Sequence, residues 1–422
     1  MTSAEVIEKK PGEKVSAPLR GSRLPPSLAR PLDFISSLRL TVVFLCLAAT
    51  LVLVGTFAQV NEGLYAAQNR YFRSFFVWWS TEGASWRIPV FPGGYLIGGV
   101  LLVNLVAAHA RRFQLSRKKI GIFIIHFGLV LMLLGQFATD MLQVESTMKI
   151  DEGETKSYSE DSRNCELVLI DTSDPERDRV YSVSESIFAK EPEIRDEKLP
   201  FTIRVKNYWP NASVFEEPPI KENIPAGAVK AGATAGILKD DYVMPRPYAK
   251  DMDNRNLPAA LVEILRDGTS LGSYLVYAGL IAKQPFETPD GKRYEVALRF
   301  ARYYHPFRMT LLKATHEKYR GTDTPKNFAS RVRVESSETR EARETMIYMN
   351  NPLRYAGMTF FQYQMGADEM RMRPGDTPYT VLQVVRNPSW LTPYLSCVLV
   401  TIGLVWQFMY HLMGFVRKRR AA

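Results

Sequence analysis

The sequence has few residues suited to covalent or redox chemistry. Its 422 residues include three scattered cysteines, Cys46, Cys165 and Cys397, and no CxxC pair. Such usage does not suit a disulfide framework or a thiolate zinc site, and a chain without CxxC is not expected to exchange thiols and disulfides itself. HExxH and a phosphate-binding glycine loop are also absent. No metalloprotease or nucleotide-binding enzyme is indicated.

The charge balance is basic, with 54 Lys and Arg against 44 Asp and Glu and a pI near 9.3. Such a balance suits nucleic acid or an anionic membrane surface. Many of the basic residues flank apolar runs, and the segment RRFQLSRKK (residues 111–119) carries no acid. We therefore expect contact with a lipid bilayer and no binding of nucleic acid.

Four apolar runs of roughly the length of a bilayer-spanning helix divide the chain. Cytoplasmic segments beside spans carry an excess of Lys and Arg, which places both termini and residues 111–119 inside. We expect a multi-pass protein of the cytoplasmic (inner) membrane, with its large domain extracytoplasmic (periplasmic in a diderm). The predicted segments are a disordered cytoplasmic tail (1–37), helix 1 (38–59), an external aromatic loop (60–92), helix 2 (93–110), a basic cytoplasmic loop (111–119), helix 3 (120–139), an outer domain (140–388), helix 4 (389–412) and a basic tail (413–422).

Residues 140–388 have mostly strand-like patterns. Runs such as FTIRVKNYW and RVRVES alternate β-branched, aromatic and polar residues, and turns such as TPDGK separate them. The predicted fold is an integral membrane protein with four transmembrane α-helices. A large extracytoplasmic, mainly antiparallel β domain, a sandwich or an open barrel, is inserted between helices 3 and 4. The aromatic loop 60–92 suits either a membrane-interface belt or a ligand platform.

The third run, IGIFIIHFGLVLMLLGQFAT, contains one ionisable residue, His126. It lies roughly 9 Å along the helix at 1.5 Å rise per residue. Gly121, Gly128 and Gly135 give the other side of this helix a smooth face for close packing. His126 is either hydrogen-bonded to a neighbouring helix or an axial ligand of haem iron. A proton relay is less favoured because no Asp or Glu lies in any predicted span.

The other four histidines have simpler interpretations. His109 and His411 lie near the cytoplasmic ends of the second and fourth spans, where an interfacial anchor is favoured over a ligand. His305 and His316 lie in the outer domain and are interpreted as ordinary packed or surface residues. His411 is kept as a second candidate haem contact because it could line an inner entrance.

Several segments together resemble the ResB (CcsB) proteins of system II cytochrome c biogenesis. The resemblance runs from about Leu38 to Leu412 and includes the basic connector between the second and third spans. The three segments of the outer domain are long and specific. The matching segments are SLRLTVVFL with GTFAQ after it, IIHFGLVLMLLG, PKNFASRVRV (Pro325–Val334), MNNPLRYAGMTFFQ (Met349–Gln362) and VLQVVRNPSW (Val381–Trp390).

The resemblance implies a membrane subunit that exports haem b as transported substrate. With a CcsA-type partner, it would attach haem to the CxxCH cysteines of apocytochromes c. In that family the histidine matching His126 ligates haem iron, and a histidine of the partner takes the other axial position. Thiol-reducing proteins upstream would prepare the apocytochrome. The chain is not expected to be catalytic alone, because the Trp78-Trp79 pair is not a WWD-type haem segment: Ser80 follows it.

Two other functions remain open. The chain could be a scaffold that stabilises a haem-handling partner without contacting haem. It could also be a receptor whose outer domain senses a ligand, although the predicted cytoplasmic parts offer no output domain. Activity after loss of His126 would favour the scaffold, and intact cytochrome c maturation after deletion of the gene would favour the receptor.

Overall fold

The computed structural model describes residues 26–81, 86–112, 116, 118–197, 199–216, 225–249, 255–320, 325–366 and 377–421. Its helices are α1 (Pro26–Ile35), α2 (Leu38–Glu62), α3 (Leu64–Ala67), α4 (Gly94–Arg112), α5 (Ile120–Leu142), α6 (Glu185–Phe188) and α7 (Thr392–Ala421), with a π-helical turn at Gln68–Phe72.

The strands of the first half are β1 (Phe76–Trp79), β2 (Ile88–Pro92), β3 (Val144–Asp151), β4 (Thr155–Asp171), β5 (Arg179–Ser184), β6 (Glu193–Ile194), β7 (Thr202–Trp209), β8 (Ala212–Phe215), β9 (Val229–Lys230) and β10 (Tyr242–Pro245). Those of the second half are β11 (Ala259–Arg266), β12 (Thr269–Tyr277), β13 (Gln284–Glu287), β14 (Arg293–Lys318), β15 (Pro325–Ser336), β16 (Glu341–Tyr348), β17 (Leu353–Tyr355), β18 (Met358–Gly366) and β19 (Tyr379–Arg386).

Four described helices, α2, α4, α5 and α7, are long and apolar enough to cross a bilayer. Together with a large antiparallel β domain, they confirm the coarse architecture expected from the sequence. The chain divides into two compact units. One contains the described residues up to 54 with 70–130 and 398–421, and the other contains 55–69 and 131–397.

In the first unit, a buried amide ties α4 to the start of the chain. Asn104 is only 3% exposed. Its Oδ1 accepts a hydrogen bond from Thr41 Oγ1 at 2.7 Å, and its Nδ2 donates to the carbonyl oxygens of Ile35 at 2.5 Å and Ser37 at 3.2 Å. Burying an amide without hydrogen bonds destabilises the fold. These contacts therefore favour one position of α4 against the α1–α2 junction.

The prediction of a disordered tail over residues 1–37 is wrong for its last part. Residues 26–35 form α1, and Asp33 on α1 pairs with Arg111 on α4 at 2.5 Å. Residues 1–25 lie outside the described part of the chain.

The predicted glycine face of α5 packs against α7. A Cβ at Gly121 would lie 2.7 Å from the carbonyl oxygen of Gly403, so the two backbones meet directly. In the second unit, Gly135 faces the side chain of Thr392 just as closely. Gly128 is buried as well. The expectation of a close-packed face opposite His126 is confirmed at Gly121 and Gly135.

The aromatic segment between α2 and α4 contains a hairpin of β1 and β2. Its indole rings are close to half exposed, with Trp78, Trp79 and Trp86 at 45–48%. The rings of Trp79 and Trp86 lie 5.7 Å apart. The hairpin therefore presents aromatic surface instead of burying it.

The second unit is built on a sheet of ten described strands. Eight follow the order β16-β15-β14-β4-β3-β19-β18-β17, while β13 pairs with β14 and β5 with β4. Every pairing is antiparallel. Smaller sheets have the orders β12-β11-β7-β6 and β8-β10-β9.

The 26-residue strand β14 belongs to two hydrophobic cores. Val296 and Leu298, on its first half, pack in a core with residues of β7, β11 and β12. Met309 and Leu311, on its second half, pack with residues of β15, β18 and β19. The pairing of β14 with β4 is irregular between Tyr304 and Met309, where one core gives way to the other.

The large sheet curls so that strands near its two ends meet. Ser330 Oγ on β15 lies 2.6 Å from Gln362 Oε1 on β18 and 2.9 Å from Thr380 Oγ1 on β19. The Gln362 amide also donates to Thr380 Oγ1 at 2.9 Å. Ser330 and Thr380 are completely buried. This polar triad, Ser330–Gln362–Thr380, joins strands that are far apart in sheet order.

Candidate functional site

The strongest candidate for function is His126 on α5. Its Nδ1 lies 2.7 Å from the carbonyl oxygen of Ile122, one turn earlier. A carbonyl oxygen only accepts hydrogen bonds, so Nδ1 carries the proton. In the neutral ring the lone pair is then on Nε2, the form in which imidazole binds metals. The helix backbone thus fixes both the tautomer and the rotation of the ring.

A second imidazole lies beside it. The ring centroid of His109 on α4 is 4.9 Å from that of His126, with an angle of 47° between the rings. His109 also contacts Phe123 at 5.6 Å, and Phe123 is stacked with Phe127 at 6.3 Å and 17°. The sequence interpretation of His109 as an interfacial anchor did not include this contact. His109, Phe123, His126 and Phe127 form one aromatic cluster within the first unit.

The sequence did contain a signal for this pairing. His109 lies three residues before the end of α4, and His126 lies six residues after the start of α5. A short connector joins the two helices. In consecutive antiparallel helices, residues at similar distances from the connecting turn reach similar heights. Comparing the depths of the two histidines along their helices would have predicted the contact, whereas considering each histidine separately did not.

The side chains of the cluster fit one type of metal site. Among the described residues no group of three or more His, Cys, Asp or Glu is placed to hold a metal ion. A metal centre built from protein ligands alone is therefore not supported there. Haem iron needs only an axial ligand from the protein, and the Nε2 lone pair of His126 suits that position. The neighbouring phenylalanine rings offer the apolar contact that a flat macrocycle needs.

His109 and His126 do not form a bis-histidine site as they are placed. With nitrogen–metal bonds of about 2 Å, two axial imidazoles on one iron would have ring centroids about 6 Å apart. The observed 4.9 Å leaves no room for iron and porphyrin between them. A second axial ligand would therefore have to come from elsewhere.

His411, the second candidate from the sequence, lies on α7. Its Nε2 accepts a hydrogen bond from Gln407 Nε2, one turn earlier, at 2.7 Å. Its ring also contacts the neighbouring Tyr410 at 6.0 Å. In this arrangement the Nε2 lone pair is used within α7, so iron binding there would require Gln407 to move.

The histidines of the outer domain are packed into its structure. Ser159 Oγ lies 3.0 Å from His305 Nε2, and the His305 ring is stacked on Phe307 at 5.2 Å and 7°. Burial lowers the pKa of His305. His316 packs against Phe328 with ring centroids 4.4 Å apart. These contacts match the ordinary structural roles expected for both.

Comparison with known proteins agrees with the motifs. Residues 287–378 match the ResB-like family. The match covers part of the outer domain, and the chain is similar to the family there. The matched region runs from the end of β13 to just before β19 and includes Ser330 and Gln362. Two of the outer-domain segments noted in the sequence therefore meet in the polar triad. Their side chains form part of one buried hydrogen-bonded contact.

One curated relative aligns over most of this chain. Protein NrfI from Wolinella succinogenes is 25% identical over 315 residues, which are 74% of this chain and 29% of the relative. The chain thus spans less than a third of that relative's length.

Proposed function

We propose that this ResB-like chain is the membrane subunit of a system II cytochrome c biogenesis complex. It would export haem b and, with a CcsA-type partner, attach it to CxxCH motifs of apocytochromes c. The observation that carries the proposal is the imidazole of His126, presented with a fixed tautomer on a helix of membrane-spanning length. The match of residues 287–378 to the ResB-like family supports the biological context.

The proposed topology has α2, α4, α5 and α7 spanning the inner membrane. Lys418, Arg419 and Arg420 in the last turn of α7 suit a cytoplasmic end, and so does the basic connector between α4 and α5. Both termini would then be inside, and the β domain between α5 and α7 would be periplasmic. The exposed indoles of the β1–β2 hairpin suit the outer membrane–water interface, where amphipathic aromatic rings are stable.

In this proposal His126 binds the iron of the transported haem through Nε2. Phe123 and Phe127 contribute apolar surface beside it, and a histidine of the CcsA-type partner provides the other axial ligand. With the start of α5 at the cytoplasmic side, the roughly 9 Å from there to His126 would put the site in the inner half of the bilayer, near where haem would enter. His411 remains a candidate for a transient contact.

The chemistry of attachment would not use Cys165, the thiol of the outer domain. In thioether formation, the S–H of an apocytochrome cysteine adds across a vinyl group of haem, so the cysteine must arrive reduced. Cys165 is only 1% exposed, and burial raises the pKa of its thiol far above the ordinary range. A buried, protonated thiol is a poor nucleophile and a poor reductant. Reducing power would come from separate thiol-reducing proteins.

The test is cytochrome c maturation in a bacterial strain without its own biogenesis genes. The chain is co-expressed with its CcsA-like partner and a CxxCH reporter, and covalent haem is detected by peroxidase staining after denaturing electrophoresis. We expect His126→Ala to reduce the yield at least roughly tenfold, the scale of losing a metal ligand or its support. His316→Phe, which keeps the ring contact with Phe328, is the matched control and should mature the reporter normally.

A scaffold is the second candidate function. His126 is hydrogen-bonded to its own helix and packed against His109, contacts that a purely structural histidine could also make. Wild-type yield and normal haem content with His126→Ala would support the scaffold and contradict haem ligation by this chain.

A further inference from the structure

We propose that His109 is a positioning residue for His126, holding its ring in the orientation that binds iron. This inference rests on the proposed function, because it assigns a role toward the haem of that same site. His109 would act through His126 and would not itself bind the metal.

The contacts of His109 place it between two side chains of α5. Its ring is 4.9 Å from His126 and 5.6 Å from Phe123. Residues three apart on a helix lie on the same face, one turn from each other. The His109 ring therefore packs from α4 against the gap between Phe123 and His126, and it limits how far the His126 ring can swing toward Phe123.

The two restraints on His126 act in different directions. The Nδ1–H···O=C bond to Ile122 sets the rotation of the ring about its own axis. The packed His109 ring opposes displacement of the whole imidazole. Outer groups that orient a metal-binding histidine commonly change metal affinity 10–100-fold when they are removed.

The position of His109 on α4 makes this packing dependable. One turn and a half earlier, the buried amide of Asn104 fixes α4 to the α1–α2 junction by three hydrogen bonds. Two residues later, Arg111 pairs with Asp33. His109 thus lies between two polar contacts that set the register of α4. These contacts hold the His109 ring in place against the His126 ring.

The experiment compares wild type, His109→Ala and His109→Phe, each purified as the complex with the CcsA-like partner. The absorption spectrum gives the fraction of low-spin haem, and pyridine haemochrome analysis gives haem per complex after a fixed wash. His109→Ala removes the ring, whereas His109→Phe keeps a ring of similar size without nitrogen. Circular dichroism and co-purification of the partner check that each variant is folded.

We expect His109→Ala to retain roughly tenfold less haem, with more high-spin character, and His109→Phe to remain within about twofold of wild type. Equal spectra for His109→Ala and wild type would overturn the positioning role. Equal losses in both variants would also overturn it, since they would mean that a ring nitrogen of His109 is required. Wild-type complex without any haem would instead contradict the proposed function itself.

Discussion

The polar triad Ser330–Gln362–Thr380 allows a sharp prediction about stability. The side chains of Ser330 and Thr380 are 0% exposed, and each contacts Gln362. Replacing Gln362 with Met keeps the length of the side chain but removes the amide group that contacts both hydroxyl groups. The two hydroxyl groups would remain in a place that water cannot reach.

The expected cost follows from those two contacts. A buried polar group that loses its partner costs about 1–3 kcal/mol, whereas replacing all partners by apolar groups of similar shape is nearly neutral. Ser330 and Thr380 can still bond to each other, so we expect about 2 kcal/mol for Gln362→Met. The triple variant Ser330→Ala, Gln362→Met, Thr380→Val should recover most of this loss. In a β domain of this size, 2 kcal/mol corresponds to a fall in Tm of about 4–8 °C.

The assay is thermal unfolding of the full-length chain in detergent, followed by near-UV circular dichroism. Gln364→Met is the matched control, because the Gln364 side chain is exposed on the same strand, and its Tm should be unchanged. If the triple variant were less stable than Gln362→Met, each further loss of a polar group would have lowered the free energy of unfolding by its own amount. The triad would then contribute net stabilisation, and the reasoning from unpaired buried groups would be refuted.

Three further predictions concern other parts of the chain. Burial lowers the pKa of His305 below its unfolded value near 6.5, so the unfolded chain binds a proton more readily. Stability should fall as pH drops below about 6.5, and His305→Phe should flatten that part of a Tm–pH curve; an unchanged slope would contradict this. Gly121→Ala should lower the Tm because its Cβ would meet a backbone carbonyl of α7, whereas Gly98→Ala, with nothing within 4 Å, should be neutral or stabilising; the same sign in both would contradict the packing. In nanodiscs, brominated lipids should quench the fluorescence of Trp79 and Trp86, measured as the difference from their double Phe variant; equal quenching with and without them would place the hairpin outside the interface.

The sequence predicts the features that depend on local composition. Apolar length identifies α2, α4, α5 and α7 as candidate spans, and alternation identifies an antiparallel β domain. Helix α1 was missed because a ten-residue segment with an internal Pro31 is not stable alone. It depends on contacts with α4, such as Arg111 to Asp33.

Features that depend on distant contacts could not be predicted residue by residue. β14 is divided between two cores, and its sequence pattern alone reveals neither this division nor the order of the strands. Ser330 and Gln362 belong to separate motifs, and only the curl of the sheet brings them together. At the candidate site, the sequence shows one imidazole, His126, in an apolar helix. Its contact with His109 requires the pairing of two helices.

The most direct test of the central claim is the absorption spectrum, with haem quantification, of the complex with the CcsA-like partner. It is recorded for wild type and His126→Ala, before and after addition of imidazole. Haem ligation by His126 predicts a low-spin bis-imidazole spectrum in wild type. In the variant this spectrum should weaken or disappear and return with free imidazole. Unchanged haem content and an unchanged spectrum in His126→Ala would contradict the account and make His126 a structural residue of a scaffold.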